Sequence, residues 1–208
     1  GIENLQKRFE EYLNDSNFFR GLNIQMPYIK YIKFNSEHDM LKYFLENIVA
    51  KVPVLAGWNS IMFDWQYIQN RVRGYYSDLS LSSSSMNRTM SQKRYADMRN
   101  NDVVLNMPNH TLILDMMDIV GNFDMVVMPI KESLSLDYIA SESIGMHKIK
   151  YDGDLQKLFE TDYSTYVFYN AIDSILVQLI DKRFKTLQNI YTQALYCKEK
   201  IGSCFSKI

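Results

Sequence analysis

The chain has 208 residues, a formal net charge of −1 and a hydrophobic fraction of 47%, which is enough apolar material for a packed core. This near-neutral charge excludes a globally basic nucleic-acid-binding protein, so any DNA contact must be made by a local cluster of charges. The 2 cysteines are too few for a disulfide framework, and the sequence opens with no signal-peptide pattern and contains no apolar run of membrane-spanning length.

The first part of the chain is predicted to form two helices with a strand between them. Residues 1 to about 20 carry apolar side chains at helical spacing on one face and charges on the other. Residues 28–34 alternate in side-chain direction and favour a strand. Ser36 is a typical helix N-cap with Asp39 three residues later, and the helix that follows is predicted to continue to Val49.

The stretch Val52–Val72 is predicted to carry a site. An apolar run of strand length, Val52–Ala56, is followed by a polar turn and then by apolar residues at helical spacing from near Asp64. Ligands of open α/β sheets bind at the carboxyl ends of the strands. The turn therefore presents Asn59 and Asp64 where a site is expected, although Asp64 alone is equally well explained as a helix N-cap.

A polar segment and a predicted β-hairpin follow. The serine-rich residues 80–85 predict a surface loop. Turn signals at Asn100-Asn101 and at Pro108-Asn109-His110 favour a hairpin. Basic residues in this region form either a patch that contacts phosphate groups or an ordinary solvated face. They are Arg88, Lys93, Arg94 and Arg99.

Two carboxylates follow the next predicted strand. Thr111–Leu114 is an apolar run of strand length that ends at Asp115, and Asp118 belongs to the short helix predicted after it. Both side chains are candidate metal ligands.

The rest of the chain is predicted to be helical. Helices are expected at Ser133–Ala140, near Leu155–Phe159 and from Tyr166 to about Tyr196. Tyr169 and Asp173 are four residues apart, so they stack on one face of the last helix. A structural pair and a functional pair both fit this spacing.

Two of these stretches together resemble the exonuclease motifs of the family B DNA polymerases, and the replicative polymerases of T4-like phages are the nearest likeness. The second exonuclease motif is matched by Gly57-Trp58-Asn59, Phe63-Asp64, Tyr67-Ile68 and Asn70-Arg71-Val72. The third, Tyr-x-x-x-Asp, is matched at the correct place downstream by Tyr169 and Asp173. The likeness runs from about Tyr28 to Tyr196.

The resemblance implies an α/β, ribonuclease-H-like exonuclease fold in which helices flank a mixed sheet, and of which this chain holds an incomplete piece. It implies an N-terminal helix and connection at 1–27 and an exonuclease-like domain at 28–196. The hairpin, inserted at about 88–111, is expected beside the primer–template junction. A tail at 197–208 is expected to lead toward a polymerase domain.

The implied activity is 3′→5′ proofreading at the single-stranded 3′ end of DNA, by two-metal phosphodiester hydrolysis with Mg²⁺ or Mn²⁺. By resemblance, Asp64 and Asp173 are the catalytic, metal-binding carboxylates, and Tyr169 helps to position the attacking water. Asn59 and Phe63 are expected to line the groove for the unpaired strand. Lys93 and Arg94 are the predicted phosphate contacts. The implied partners are the primer–template and a polymerase domain or second polypeptide, in the cytoplasm of a host cell, with no membrane.

The first exonuclease motif of the family, Asp-x-Glu on the first strand, is absent. The acidic residues upstream of Asp64 do not form it; they are Glu3, Glu10, Glu11, Asp15, Glu37, Asp39 and Glu46. Asp115 and Asp118 match a family pair that is mainly structural. We therefore expect a truncated chain that is weak or inactive as an exonuclease by itself. Without the missing strand, residues 28–34 and Val52–Ala56 are expected to pair with each other or to expose edges to another chain.

Two other functions fit the sequence. A retained exonuclease scaffold without catalysis would only bind single-stranded DNA or a partner, and the absent Asp-x-Glu motif favours it. A nuclease of the same fold from another class, such as a bacterial-type proofreading subunit, is disfavoured by the order of the segments and by the hairpin.

Overall fold

The computed structural model describes residues 1–81, 89–96, 101–122 and 132–201. The chain forms two compact units, Gly1–Tyr31 with Ile119–Ile208 and Ile32–Asp118. Helices and strands both occur, so the predicted α/β class is confirmed, whereas the ribonuclease-H-like arrangement and the predicted domain limits stay predictions. No helix within the described ranges combines the length and hydropathy needed to cross a bilayer.

In chain order, the elements are helices α1 (Leu5–Asn14), α2 (Asn17–Gly21) and α3 (Glu37–Phe44), strand β1 (Val54–Gly57), helix α4 (Gln66–Tyr75), strands β2 (Met90–Ala96), β3 (Asp102–Pro108) and β4 (Leu112–Asp115), and helices α5 (Met116–Asn122), α6 (Leu136–Ile144), α7 (Leu155–Thr161), α8 (Tyr163–Phe184) and α9 (Thr186–Cys197). A 3₁₀ turn at Ile2–Asn4 precedes α1, and π-helical segments at Leu45–Val49 and Ile61–Trp65 follow α3 and precede α4.

Helix α8 is the centre of the first unit, and α1, α6 and α7 pack on it. Its buried apolar side chains include Phe168, Ile172, Leu176 and Leu179. The guanidinium carbon of Arg8 lies 4.4 Å from the centroid of the Phe168 ring, and Arg8 Nη2 donates to Thr165 Oγ1 at 3.2 Å. These contacts fix the orientation of the helix that carries Tyr169 and Asp173.

Serine caps begin two of the helices near the predicted positions. Ser36 Oγ accepts the N–H of Asp39 at 3.1 Å and donates to Asp39 Oδ2 at 2.8 Å, which confirms the predicted cap of α3. Ser135 Oγ accepts the N–H of Tyr138 at 3.3 Å and begins α6. Each cap satisfies a backbone donor that the helix itself leaves unpaired.

Two predicted helices are each divided in the structure. The predicted last helix breaks at Lys185, whose φ of 53° is left-handed, and Asp181 Oδ1 accepts the N–H of Leu187 at 2.9 Å in the first turn of α9. The predicted N-terminal helix divides at Ser16, whose Oγ accepts the N–H of Phe19 at 3.1 Å. Apolar spacing continues across both breaks, which is why periodicity alone predicts single helices.

The strands form two separate pairs. β1 pairs in parallel with β4, with Gly57 opposite Asp115, and β2 pairs antiparallel with β3, with Met90 opposite Pro108. The antiparallel pair is the hairpin that the sequence predicts, although residues 97–100, with part of the turn signal, lie outside the described residues. The other sequence-predicted features outside them are the serines at 82–85, Arg88, Arg99 and the tail at 202–208.

The strand predicted for residues 28–34 is wrong. Gln6 binds the backbone at the start of this segment, since its Oε1 accepts the N–H of Ile29 at 2.7 Å and its Nε2 donates to the carbonyl of Pro27 at 3.2 Å. Among the described residues, none of 28–34 belongs to a strand. An alternating pattern selects two faces but does not supply a partner strand. The predicted pairing of this segment with Val52–Ala56 is also wrong, because β1 pairs with β4.

Trp65 is at the centre of the core of the second unit. Its side chain is 2% exposed, and its Nε1–H donates to the carbonyl of Asn106 at 2.8 Å. One turn later, Gln69 Oε1 accepts the N–H of Asn106 at 2.6 Å. Both backbone groups of one residue of β3 are therefore satisfied by side chains of the helical segment packed on it. The apolar residues around them include Leu45, Val49, Ile61, Val72, Leu105, Met107 and Ile113.

Replacing Gln69 with alanine should lower the free energy of unfolding by about 1–3 kcal/mol, because the N–H of Asn106 is left without its buried acceptor. Urea unfolding followed by circular dichroism measures this loss. Asn70→Ala is the matched control, since Asn70 is the exposed neighbour on the same helix. Equal losses in the two variants would contradict the role of Gln69.

Candidate functional site

The turn after β1 is shaped by a glycine and an asparagine. A Cβ atom on Gly57 would lie 2.6 Å from the Cβ of Ser60, closer than real Cβ atoms come, so no larger residue fits without a shift. Asn59 has a φ of 55°, a left-handed conformation that asparagine tolerates better than most residues. The backbone of the turn therefore explains Gly57 and favours Asn59.

Asp115 holds this turn from the end of β4. Its Oδ1 accepts the N–H of Asn59 at 2.9 Å and of Met117 at 3.1 Å, and its Oδ2 accepts the N–H of Ile61 at 3.2 Å. Asp115 is only 3% exposed. Burial raises the pKa of this carboxyl, the three N–H donors oppose that shift, and the charge of Asp118 adds to it. These bonds give Asp115 the structural role expected from the sequence.

Phe63 and Asp64 lie in the π-helical segment Ile61–Trp65. The helical backbone begins before Asp64, so the alternative that Asp64 is an N-cap is wrong. The Phe63 side chain is 70% exposed. Asp64 is exposed as a residue, yet protein atoms crowd its carboxyl group, and this desolvation raises its pKa. The segment therefore places an exposed aromatic ring next to a partly desolvated carboxylate.

Lys93 and Arg94 lie on β2 and are both exposed. Successive residues of a strand point to opposite faces, so these two cations do not share one face of the hairpin. Arg94 Nη1 is 4.0 Å from Asp102 Oδ2, and both side chains are more than three-quarters exposed, at 79% and 76%. Such an exposed pair contributes little to stability. A joint phosphate-contacting role for Lys93 and Arg94 stays a prediction.

In the first unit, Tyr169 and Asp173 lie together on α8, and Lys148 joins them. Lys148 Nζ is 2.7 Å from Asp173 Oδ2 and 4.8 Å from the centroid of the Tyr169 ring. The ring of Tyr151 meets the Tyr169 ring edge to face at a centroid distance of 5.3 Å. A carboxylate, a cation and two aromatic rings thus form one cluster.

Burial and the ion pair act against each other in this cluster. Burial raises the pKa of Asp173, and the hydrogen bond from Lys148 opposes that shift. Burial also works to lower the pKa of the Lys148 ammonium, but its bonds to Asp173 and to the Tyr169 hydroxyl raise it above its ordinary value. The pKa of Tyr169 is raised by burial, so its hydroxyl keeps its proton. The cluster therefore holds a charged lysine and a neutral tyrosine.

The donor set for a metal ion is partial. Within the described ranges, no group of three or more His, Cys, Asp or Glu side chains is arranged to hold one. Asp173 Oδ1 is buried without a hydrogen-bond partner, whereas Oδ2 is bound by Lys148. A carboxylate oxygen in that state is a suitable ligand for a hard divalent cation.

The structure thus groups the predicted residues by unit. Tyr169 and Asp173 lie together in the first unit, and Asn59, Phe63 and Asp64 share one segment of the second. Sequence reasoning missed Lys148 and Tyr151, which lie in the irregular connection between α6 and α7. That connection has no periodicity, and a lysine in it is typical of any protein surface.

Comparisons with known proteins show which family the chain is related to. Residues 6–139 match the family model described as DNA polymerase family B, exonuclease domain. The chain is 31% identical over 181 residues to a DNA-directed DNA polymerase of Escherichia phage RB69, which covers 86% of this chain and 20% of that protein. It is 30% identical over 179 residues to a DNA-directed DNA polymerase of Enterobacteria phage T4, with the same shares. The chain therefore spans about a fifth of the length of the curated relatives it matches.

Asp115→Asn should lower the free energy of unfolding by about 1–3 kcal/mol, because the amide nitrogen cannot accept from Ile61. Burial raises the folded-state pKa of Asp115, so its contribution to stability is present below the unfolded-state pKa and is lost as pH rises through the folded-state pKa. The loss caused by the substitution should therefore shrink as pH rises from the ordinary aspartate pKa, about 3.9, through the raised folded-state pKa of Asp115. Urea unfolding across this range tests it. A loss that grows with pH would show that Asp115 is stabilised in its charged form.

Proposed function

Because the chain belongs to the exonuclease domain family of the family B DNA polymerases, we propose that it is part of a DNA-directed DNA polymerase and serves its 3′→5′ proofreading exonuclease. The reaction is hydrolysis of the last phosphodiester bond at the single-stranded 3′ end of DNA. The observation that carries this proposal is the placement of Tyr169 and Asp173 together on α8, with Asp173 Oδ1 buried and without a hydrogen-bond partner. The same relationship supports a ribonuclease-H-like fold and a role in phage replication in the host cytoplasm.

Asp64 and Asp173 are the carboxylates that would hold the metal ions. Mg²⁺ or Mn²⁺ would supply Lewis-acid stabilisation of the phosphate and an activated water when bound. Asp173 offers one buried oxygen without a hydrogen-bond partner for this purpose. Tyr169 keeps its proton, because burial raises its pKa, and can therefore orient a water molecule as a hydrogen-bond donor.

The DNA strand is expected to meet the segment after β1. Phe63 is 70% exposed, and an exposed aromatic ring can stack on an unpaired base. Asn59 lies in the adjoining turn, where its side-chain amide can bond to the strand. Lys93 and Arg94 on β2 are the candidate phosphate contacts. The proposed partners are the primer–template junction and a polymerase domain or second polypeptide.

A second candidate function is a non-catalytic module that binds single-stranded DNA or a partner protein on an exonuclease scaffold. The specific observation that favours it is the ion pair between Lys148 and Asp173, together with the incomplete set of metal ligands among the described residues. The two functions differ in hydrolysis and not in DNA binding.

The full chain should bind a short single-stranded oligonucleotide weakly, and more weakly as salt rises, because neutralised phosphates release counterions. Fluorescence anisotropy at several salt concentrations measures this. Phe63→Ala should cost roughly 1–3 kcal/mol of binding by removing a stacking ring. Phe159→Ala is the matched control, since Phe159 is an exposed phenylalanine of the other unit. Affinity that does not depend on salt would refute phosphate contact, and equal effects of the two substitutions would refute the role of Phe63.

The full chain should be a poor exonuclease on a 3′-mismatched primer, with either Mg²⁺ or Mn²⁺. Its sequence lacks the Asp-x-Glu motif, and loss of one electrostatic element of such a site commonly costs several kcal/mol of transition-state stabilisation, roughly 10²–10³ in rate. Any residual activity should vanish in Asp173→Ala and persist in the control Asp152→Ala. Release of nucleotides at an ordinary enzymatic rate would contradict the expected weakness. Residual activity that survives Asp173→Ala would remove Asp173 from the catalytic set.

A further inference from the structure

One peptide group beside the Asp173 cluster is bound at both of its polar atoms. The carbonyl of His147 accepts a hydrogen bond from the Tyr12 hydroxyl at 2.7 Å. The N–H of Lys148, on the same peptide bond, donates to Asp137 Oδ1 at 2.6 Å. Tyr12 belongs to α1 and Asp137 to the first turn of α6, so two separate helices hold this peptide from its two sides.

We infer that Tyr12 and Asp137 are positioning residues that clamp the His147–Lys148 peptide and so direct the Lys148 ammonium onto Asp173. The connection that carries Lys148 has no regular secondary structure of its own, so its backbone depends on bonds from outside. From the clamped peptide the lysine side chain reaches Asp173 Oδ2 at 2.7 Å.

The backbone, and not the histidine side chain, is what the clamp holds. His147 Nδ1 is 3.7 Å from Asp137 Oδ1, beyond hydrogen-bond distance, and both side chains are at least half exposed, at 63% and 50%. By contrast, burial and the nearby charges of Asp137 and Asp173 raise the pKa of Tyr12, which keeps its hydroxyl protonated as a donor. The Tyr12 and Phe168 rings also meet nearly perpendicular to each other, at a centroid distance of 6.4 Å.

The clamp itself is independent of the proposed function. Only the catalytic role of Asp173 rests on that function. A fixed ammonium occupies Oδ2 and leaves Oδ1 buried and without a hydrogen-bond partner. A loosened peptide would release the ammonium and change both the charge and the hydrogen bonding around the carboxylate. Tyr12 and Asp137 therefore control the state of Asp173 without touching it.

Chemical labelling of lysines tests the clamp in the full chain. Lys148 is 27% exposed and lines an open groove of about 320 Å³, together with Lys150, so a small acylating reagent can reach both amines. Labelling by an N-hydroxysuccinimide ester, quantified by mass spectrometry, gives the ratio of modified Lys148 to modified Lys150. Tyr12→Phe and Asp137→Ala should each raise this ratio by about fivefold, the size expected for loss of one hydrogen bond. Tyr31→Phe is the matched control, since its hydroxyl bonds to Tyr163 in the same unit at 3.2 Å and its loss should leave the ratio unchanged.

A conservative variant separates positioning from a general loss of structure. Asp137→Asn keeps an acceptor oxygen for the Lys148 N–H, so it should restore most of the wild-type ratio. Equal increases in Lys148 and Lys150 labelling, or an unchanged ratio in Tyr12→Phe and Asp137→Ala, would overturn the clamp. The labelling result does not depend on DNA, so a chain that does not bind single-stranded DNA yet has a clamped Lys148 would refute the proposed function and leave this inference standing.

Discussion

The second unit depends on a single buried carboxylate at the end of β4. Asp115 accepts three backbone N–H groups, two of them from the turn after β1, and thereby joins the carboxyl ends of two parallel strands. A two-stranded parallel pair has little stability by itself, so the turn needs such an anchor. The cost of burying the charge is visible as a raised pKa. The anchored turn then sets the orientation of the segment that carries Phe63 and Asp64.

Local chemistry allowed much of the fold to be predicted. The cap at Ser36, the strand ending at Asp115 and the hairpin between β2 and β3 follow from side-chain bonding, apolar length and turn residues, and all three are present. The strand predicted at residues 28–34 failed because pairing is a property of two segments and not of one. The break at Lys185 was equally hidden, since a left-handed lysine leaves the apolar period on either side of it intact.

The candidate site shows the same division between local and non-local information. Tyr169 and Asp173 could be predicted as neighbours because four residues of helix bring them together. Lys148 could not, because its position follows from bonds to α1 and α6 made across long sequence separations. The motif residues Gly57 and Asn59 have a structural explanation. Their identities are explained by a close approach and a left-handed φ, so a motif match alone does not make them ligands of DNA.

Charge balance around Asp173 links the two candidate functions. A carboxylate that is largely withdrawn from water needs a positive partner, and here that partner is the Lys148 ammonium. In a two-metal nuclease the divalent cations would supply part of this charge. Because Lys148 binds Oδ2 and leaves Oδ1 buried without a hydrogen-bond partner, the carboxylate is stabilised without metal and still keeps one unpartnered oxygen. The unit can therefore keep its fold without a metal ion, and the proposed catalysis would require further ligands beside Asp173 and no rearrangement of α8.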